Sequence, residues 1–350
     1  MSVLELQVDE QIYAGWTDLA VEAGLEQLSG SFTLQLTEHW PGAGEPRPVK
    51  PGQRCVVKID GQPVVTGFID SVAVSFNATS RSLSVSGRDA TADLVDCSAI
   101  HGAGQWKKAS LARIARDLCD PFKIKVAVDP GVQALADQPF DSWNIEEGES
   151  CFDCLERAAR LRTVMLTTLG DGGMYITRPG AEQAKAALVE GGNIVSANGD
   201  FSWSERFSEY RVKGQSRRTH AGVGISKDAE IAAGRYRPKI LLAEDQTNGA
   251  TAQQRADWER TVRTARASRA TITVCGWRQG PEHPLWRPNL RVQLSSALLR
   301  ADEEKLITKV NYTLNAEGER CQLELADPRT FDQLTGSSKS KAGKTTKPKG

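Results

Sequence analysis

No stretch of this sequence approaches the ~20 consecutive apolar residues that a membrane-spanning helix needs. The first residues, Met1-Ser-Val-Leu-Glu-Leu-Gln-Val-Asp9, lack the basic start and the apolar centre of a secretion signal, so synthesis in a reducing cytoplasm is expected. An excess of one charge is also missing. Lys plus Arg is 44 and Asp plus Glu is 44, which argues against a protein built mainly to grip bare nucleic acid. The seven cysteines (55, 97, 119, 151, 154, 275 and 321) are odd in number and scattered, unlike a disulfide framework. The four histidines (39, 101, 220 and 283) form no HExxH, and no GxSxG nucleophile elbow is present.

What is there is ordinary globular material: 350 residues, 39% hydrophobic and 25% charged. At ~100–200 residues per domain this length predicts two or three domains. The zero net charge hides a division. Residues 337–350 hold five Lys and no acid, so residues 1–336 carry 39 basic against 44 acidic side chains. A mildly acidic body is followed by a basic, Ser/Lys/Gly-rich stretch too polar to order itself.

Residues 1–98 read as strands. Val3, Leu4, Leu6 and Val8 mostly alternate, as do Phe32, Leu34 and Leu36. Asp60-Gly61 between Cys55–Ile59 and Val64-Val65 predicts a two-residue hairpin turn. Ile69, Val72, Val74 and Phe76, then Leu83 and Val85, predict a further strand pair. Near residue 99 the pattern changes to α+β. Ser110 caps a helix with Leu111, Ile114, Ala115 and Leu118 on one face, and Ser150 caps another with Phe152, Leu155 and Ala159. Val164 to Ile176 reads as a hairpin across Gly170–Gly173. Strands return at Phe201, residues 214–250 read as irregular except for the short apolar run Ile240-Leu241-Leu242, and Thr251 with Gln254 makes a capping box for a helix bearing Trp258, Val262 and Ala265. Residues 271–326 are strands again.

The two β regions resemble one another. At an offset of 238, Ile69, Val72, Phe76, Asn77-Ala78, Val85 and Asp89 meet Ile307, Val310, Leu314, Asn315-Ala316, Leu323 and Asp327. At an offset of 237, Pro51, Arg54, Cys55 and Val57 meet Pro288, Arg291, Val292 and Leu294. The fold class expected is therefore α+β, mainly β: two related small β-barrels with an intervening α+β domain and a helical insertion. The divisions are 1–98 (first barrel), 99–200 (α+β domain), 201–335 (second barrel, with a loop and helix insertion near 214–270) and 336–350 (disordered Lys-rich tail). Three copies of such a chain would set six barrels around one axis, which could join a six-fold partner to a three-fold one.

Signatures of chemistry are weak. Cys151-Phe-Asp-Cys154 is a CxxC at a helix start, but Glu146, Glu147 and Glu149 beside it would raise the thiol pKa, and no second pair stands at zinc-ligand spacing. Two small buried residues is the simpler reading. Gly343-Lys344-Thr345 imitates the end of a phosphate loop, but Ser338 stands where the motif needs Gly. Asp302-Glu303-Glu304 is expected at a solvated turn. Arg255, Arg260, Arg263, Arg266 and Arg269 could form a basic strip, and a solvated face is the simpler reading. Most of the tryptophans are expected in the core, although some could anchor an interface. No catalytic, cofactor-binding or metal-ligating residue is expected, and no cofactor.

Gly87-Arg-Asp-Ala-Thr-Ala-Asp-Leu-Val-Asp96, Gly104-Gln-Trp-Lys107, Arg206-Phe-Ser-Glu-Tyr-Arg-Val-Lys-Gly214, Arg237-Pro-Lys-Ile-Leu-Leu-Ala-Glu-Asp-Gln246, Gly276-Trp277 and Trp286-Arg-Pro-Asn289 resemble the baseplate hub proteins of Mu-like contractile-tailed phages, from about residue 3 to about 330. The central hub of phage T4 and the N-terminal part of type VI secretion spike proteins are more distant likenesses. The resemblance implies a structural virion protein, assembled in the host cytoplasm. It implies a homotrimeric, pseudo-six-fold ring that joins the tail tube to the central spike, contacts other baseplate proteins and surrounds the DNA channel. The hub of a tailocin or another contractile injection system is an alternative with the same architecture. A cell-wall-degrading tail enzyme is an alternative of another class.

Overall fold

Alternation of apolar side chains builds the first strands of the computed structural model, which describes residues 2–25, 27–39, 49–77, 80–180, 182–213, 223–242 and 252–331. Expectations that fall on 41–48, on Thr251 and on the Lys-rich stretch lie outside these residues. Strand β1 (Leu4–Val8) buries Leu4, Leu6 and Val8. Then follow β2 (Gln11–Tyr13), β3 (Asp18–Gly24), β4 (Ser31–His39), β5 (Arg54–Ile59), β6 (Gln62–Phe76) and β7 (Ser80–Asp89). Asp60 and Gly61 join β5 to β6 at φ 48° and 78°. This is the positive pair a two-residue turn requires.

A helical section follows, opening at α1 (Ala92–Asp96), ahead of residue 99. It continues through β8 (Gln105–Lys107), α2 (Leu111–Cys119), β9 (Val126–Val128), α3 (Gln133–Ala136), β10 (Ser142–Asn144), α4 (Cys151–Leu161), β11 (Met165–Thr167) and β12 (Met174–Thr177). Ser110 Oγ accepts from the Arg113 amide, and α2 buries Leu111, Ile114, Ala115 and Leu118. Ser150 and Asp153 form a reciprocal capping box on α4. These helices share a core of their own with Leu94, Leu155, Leu166 and Ile176.

After β13 (Glu182–Gln183), β14 (Leu188–Val189) and β15 (Ile194–Phe201), residues 202–267 form a separate compact unit. In it β16 (Glu209–Lys213) lies between β17 (Val223–Lys227) and β18 (Pro238–Leu242), with α5 (Ala229–Gly234) and α6 (Ala252–Arg266). Residues 223–227 and 229–234 are thus regular structure, a correction to the irregular reading of 214–250, and the excepted run Ile240-Leu241-Leu242 lies in β18. The reason is an inverted burial pattern. In β17 the covered positions are Gly224 and Ser226, while Val223 and Ile225 are exposed. Gly224 is required there, since a Cβ would fall 2.1 Å from the Ala252 carbonyl oxygen.

The other unit, residues 2–201 with 268–331, is completed by β19 (Ser268–Cys275), β20 (Leu290–Ser296), β21 (Ala301–Asn315) and β22 (Gly318–Ala326). Its main sheet runs β15-β19-β22-β21-β3-β4-β7-β6-β5-β1-β2, with β20 on β21 and β13 and β14 on β20. Among the described residues this order is an open path through both β regions rather than two separate rings. The molecule is mostly β with an α+β section between. Asp302, Glu303 and Glu304 lie inside β21, not at a turn, a second correction. They stand on a strand edge facing β20, where Glu304 pairs with Arg291 at 3.1 Å.

The repeat is reproduced register for register. In the first half Ile69 pairs with Gly87, a bulge follows, and Ser71 to Phe76 pair with Ser86 to Arg81. In the second half Ile307 pairs with Leu325, a bulge follows, and Lys309 to Leu314 pair with Glu324 to Glu319. Every position is related by the offset of 238, the bulge included. Arg54 opposite Phe68 corresponds to Arg291 opposite Leu306. Leu34 opposite Val85 corresponds to Ile272 opposite Leu323. Beyond them Leu19 lies on Leu34 as Ala197 lies on Ile272. Both halves therefore have one strand order, β3-β4-β7-β6-β5 and β15-β19-β22-β21-β20. Their inner faces meet in one core that holds Val57 with Leu294, Val85 with Leu323, and Leu34 with Ile272.

Candidate functional site

The residues considered for chemistry are occupied structurally. Cys151 and Cys154 are buried at the start of α4. Trp143 Nε1 donates to Cys154 Sγ at 3.4 Å, and the Arg157 guanidinium lies 4.2 Å from the Trp143 ring centre. Burial pushes the two thiols up, to about 11 and about 12, so neither is a ready nucleophile. Arg255 and Arg263 both pair with Glu259, Arg263 also with Glu205, and Arg260 donates to Ser226, so much of the arginine strip is tied into its own unit. Arg269 stands apart, in β19. His101 stacks on Trp106 with ring centres 4.5 Å apart, and the His283 carbonyl accepts from Arg278. His220 and Gly343-Lys344-Thr345 lie outside the described residues. No group of three or more metal-ligating side chains occurs among the described residues. A cleft of about 360 Å³ is lined by Val64, Asp129, Tyr175, Thr177, Arg287 and Tyr312. Within it Arg287 pairs with Glu182, and Asp129 accepts from Thr177 at 2.9 Å.

The motif residues hold turns and packing. Arg88 bridges Asp70 and Asp96 at 2.9 and 2.7 Å. Asp89, 1% exposed, accepts from the Thr91 amide and hydroxyl. Arg206 makes a buried bidentate pair with Asp228, both bonds 3.0 Å, and also reaches Glu230. Trp277 and Trp286 are each 1% exposed, and the Trp277 indole donates to the Thr313 carbonyl. Among the described tryptophans, Trp203 is half exposed at 50% and Trp258 is only partly buried, while the others are buried.

The unusual feature lies at strand edges. Strand β21 uses one side, from Leu306 to Asn315, for β22. On its other side Arg291–Ser296 of β20 pair with its first part, and β3 pairs with its last part, Lys309–Leu314. This β3–β21 seam joins the two halves and buries Leu19, Val21, Val310 and Tyr312. Each partner in the seam has a counterpart in the other half. The counterpart of Lys309–Leu314 is Ser71–Phe76 of β6, whose side away from β7 has no strand beside it among the described residues. The counterpart of β3 is β15, the last strand of the path, paired among the described residues only with β19. Both open edges carry exposed large apolar side chains among small and polar ones: Val74 is 67% exposed and Phe76 83% on β6, and Phe201 55% on β15, beside exposed Asn198 and Asp200. Tyr312, the equivalent of Val74, is 4% exposed. Natural edge strands are normally blunted by Lys or Pro, and Ser71-Val-Ala-Val-Ser-Phe76 has neither. Sequence reading missed these edges, although the exposed Val74 and Phe76 lie in the strand it identified.

Three family models match in chain order. They are the N-terminal domain of Mu phage baseplate assembly protein GpP-like proteins at residues 3–89, the second domain of baseplate hub gp44-like proteins at 91–178, and the fourth domain of GpP at 248–334. The baseplate hub protein gp44 of Escherichia phage Mu is 32% identical over 348 residues, covering 94% of this chain and 89% of that protein. The crystal structure of a 43 kDa tail protein from prophage MuSo2 of Shewanella oneidensis superposes with a TM-score of 0.85 at 35% identity, covering 95% of this chain and 99% of that one. A type VI secretion component of E. coli, described as similar to phage T4 tail proteins gp27 and gp5, shares the fold at a TM-score of 0.57 and 10% identity, covering 95% of this chain and 78% of that one. With motifs that serve packing and turns, a duplicated sheet, and a close relative along nearly its whole length, the chain belongs to the Mu-type phage baseplate hub proteins.

Proposed function

We propose that this protein is the structural hub of a contractile tail baseplate, acting in the virion as a homotrimer. Three copies would place six equivalent halves around one axis. That ring would present pseudo-six-fold symmetry to the tail tube and three-fold symmetry to the central spike, with DNA passing through its middle. In this reading each half curves as a small barrel wall, bent by the bulges at Ile69/Ser71 and Ile307/Lys309, because a bulge increases strand bend and twist. Its work is assembly and symmetry matching, not turnover. The observation that carries the reading is the register-for-register duplication of one sheet in a member of a baseplate hub family.

Size-exclusion chromatography with light scattering, together with binding to the cognate spike protein, tests it. A trimer, or a chain that becomes trimeric on the spike, is expected. A stable monomer at micromolar concentration with no affinity for the spike would overturn it. The fold shared with a type VI secretion component keeps a tailocin or other contractile injection system as a second reading. Neighbouring genes separate the two, since a capsid and terminase cluster indicates a phage.

A further inference from the structure

The open edges of β6 and β15 have the same relation as the two strands already joined inside the chain. Lys309–Leu314 of β21 and Leu19–Gly24 of β3 form an antiparallel seam: Leu314 lies opposite Leu19, Tyr312 opposite Val21, and Val310 opposite Ala23. The repeat carries β21 onto β6 and β3 onto β15. Each chain therefore displays one unused copy of each half of the seam, and the two cannot be satisfied by the same contact within a chain whose seam is already made elsewhere.

We propose that β6 of one copy and β15 of the next form the inter-subunit seam, as an antiparallel pair in the register of β21 with β3. Val72 then lies opposite Phe201 of the next copy, Ala73 opposite Asp200, Val74 opposite Gly199, Ser75 opposite Asn198, and Phe76 opposite Ala197. This rests on the trimeric-hub reading and gives that assembly its contact. Three features support it. Of the large apolar side chains that the body's main sheet exposes, Val74, Phe76, Val195 and Phe201 lie on these two strands, while Ile12 of β2 and Val189 of β14 lie elsewhere. Large faces small across the pairing: Phe76 meets Ala197, and Val74 meets Gly199. The Phe201 ring already lies over Gly199, where a Cβ would fall 2.6 Å from its Cε2, so the bare backbone of that glycine is covered on the apolar face. The contact is also head to tail, using different strands on the two copies. Such an interface generates a closed ring when its rotation closes, and here the ring would alternate first and second halves throughout.

Paired cysteines test the register, because Cα atoms directly across antiparallel strands lie ~4.5–5.5 Å apart, within disulfide reach. The background is the full chain with the exposed Cys97 and Cys275 changed to Ser. Under mild oxidation, Ser75→Cys chains mixed with Asn198→Cys chains should give a covalent dimer, and the double variant a covalent species that stops at three chains. The shifted mixture, Ser75→Cys with Asp200→Cys, should link at least tenfold less. A light-scattering trimer that links no better in register than out of it would overturn the pairing while leaving the hub reading standing. No association and no cross-link, with or without the spike, would overturn both.

Discussion

Asp89 and Asp327 occupy equivalent positions in the two halves, yet their surroundings make them titrate in opposite directions. Asp89 is pushed up to about 6 by burial, although the Thr91 amide and hydroxyl and the Thr66 amide oppose the shift. Asp327 is also pushed up by burial, but the Arg329 guanidinium and amide more than offset this and hold it below the ordinary value. Raising the folded pKa of Asp89 means that its stabilising contribution is complete below the unfolded value near 3.8. That contribution falls away as pH rises through about 6. At ~1.4 kcal/mol per pKa unit, the cost of ionising it in place is up to about 3 kcal/mol at pH 7. Asp89→Asn keeps an acceptor for Thr91 without the charge. Denaturant unfolding should therefore show the variant gaining on the parent protein between pH 5 and pH 7.5, and a gap that does not change with pH would refute the assignment. Asp327 has the reverse sign, its contribution present above the ordinary carboxylate value and lost on acidification. The correspondence of Asp89 with Asp327 was legible in the sequence. Their divergence was not, because Arg329 lies beyond the matched segment and burial arises only from the packed sheet.

At the scale of elements, local rules were readable where a few neighbouring residues decide the outcome. Ser110 and Ser150 capped their helices, Asp60-Gly61 made its turn, and the alternation of β1 and β4 named buried residues. The repeat was readable because bulge and register recur at a constant offset. The β3–β21 seam left no local mark, since it joins strands from opposite ends of the sequence. Nor did β17, whose apolar side chains point away from α6. The open edge of β6 yields a prediction at this scale. Val74 and Phe76 are exposed, so Val74→Lys with Phe76→Lys should leave the circular dichroism of the chain unchanged. Placing charge where a strand is to be added blocks pairing, and losing the burial of one Phe side chain alone corresponds to ~1.5–3 kcal/mol. Self-association measured by light scattering should weaken at least tenfold. An unchanged trimer would mean that β6 is not in the seam. Tyr312→Lys, at the equivalent position in the closed seam, should instead unfold the chain, because Tyr312 is 4% exposed.

For the whole molecule, the distribution of charge separates assembly from whatever the Lys-rich stretch does. The edges available for joining copies, Ser71–Phe76 and Ala197–Phe201, together hold a single charged residue, Asp200. Their contact is therefore backbone pairing and apolar burial, which salt screens little. Residues 337–350 add five positive charges per chain. Residues 1–336 carry more acid than base, so the body of a ring has little net attraction for a phosphate backbone passing through it. In the proposed trimer the stretch would supply fifteen lysines, and any hold of these on duplex DNA would be strongly salt-dependent, because phosphate neutralisation releases counterions. Deleting 337–350 should then leave the trimer intact across 50–500 mM salt, while any retention of the full chain on duplex DNA at low salt disappears. Light scattering and a DNA-retention titration on the same two proteins check both halves of this expectation. Loss of the trimer on truncation would place part of the inter-subunit contact in the basic stretch and so contradict a seam made by β6 and β15 alone.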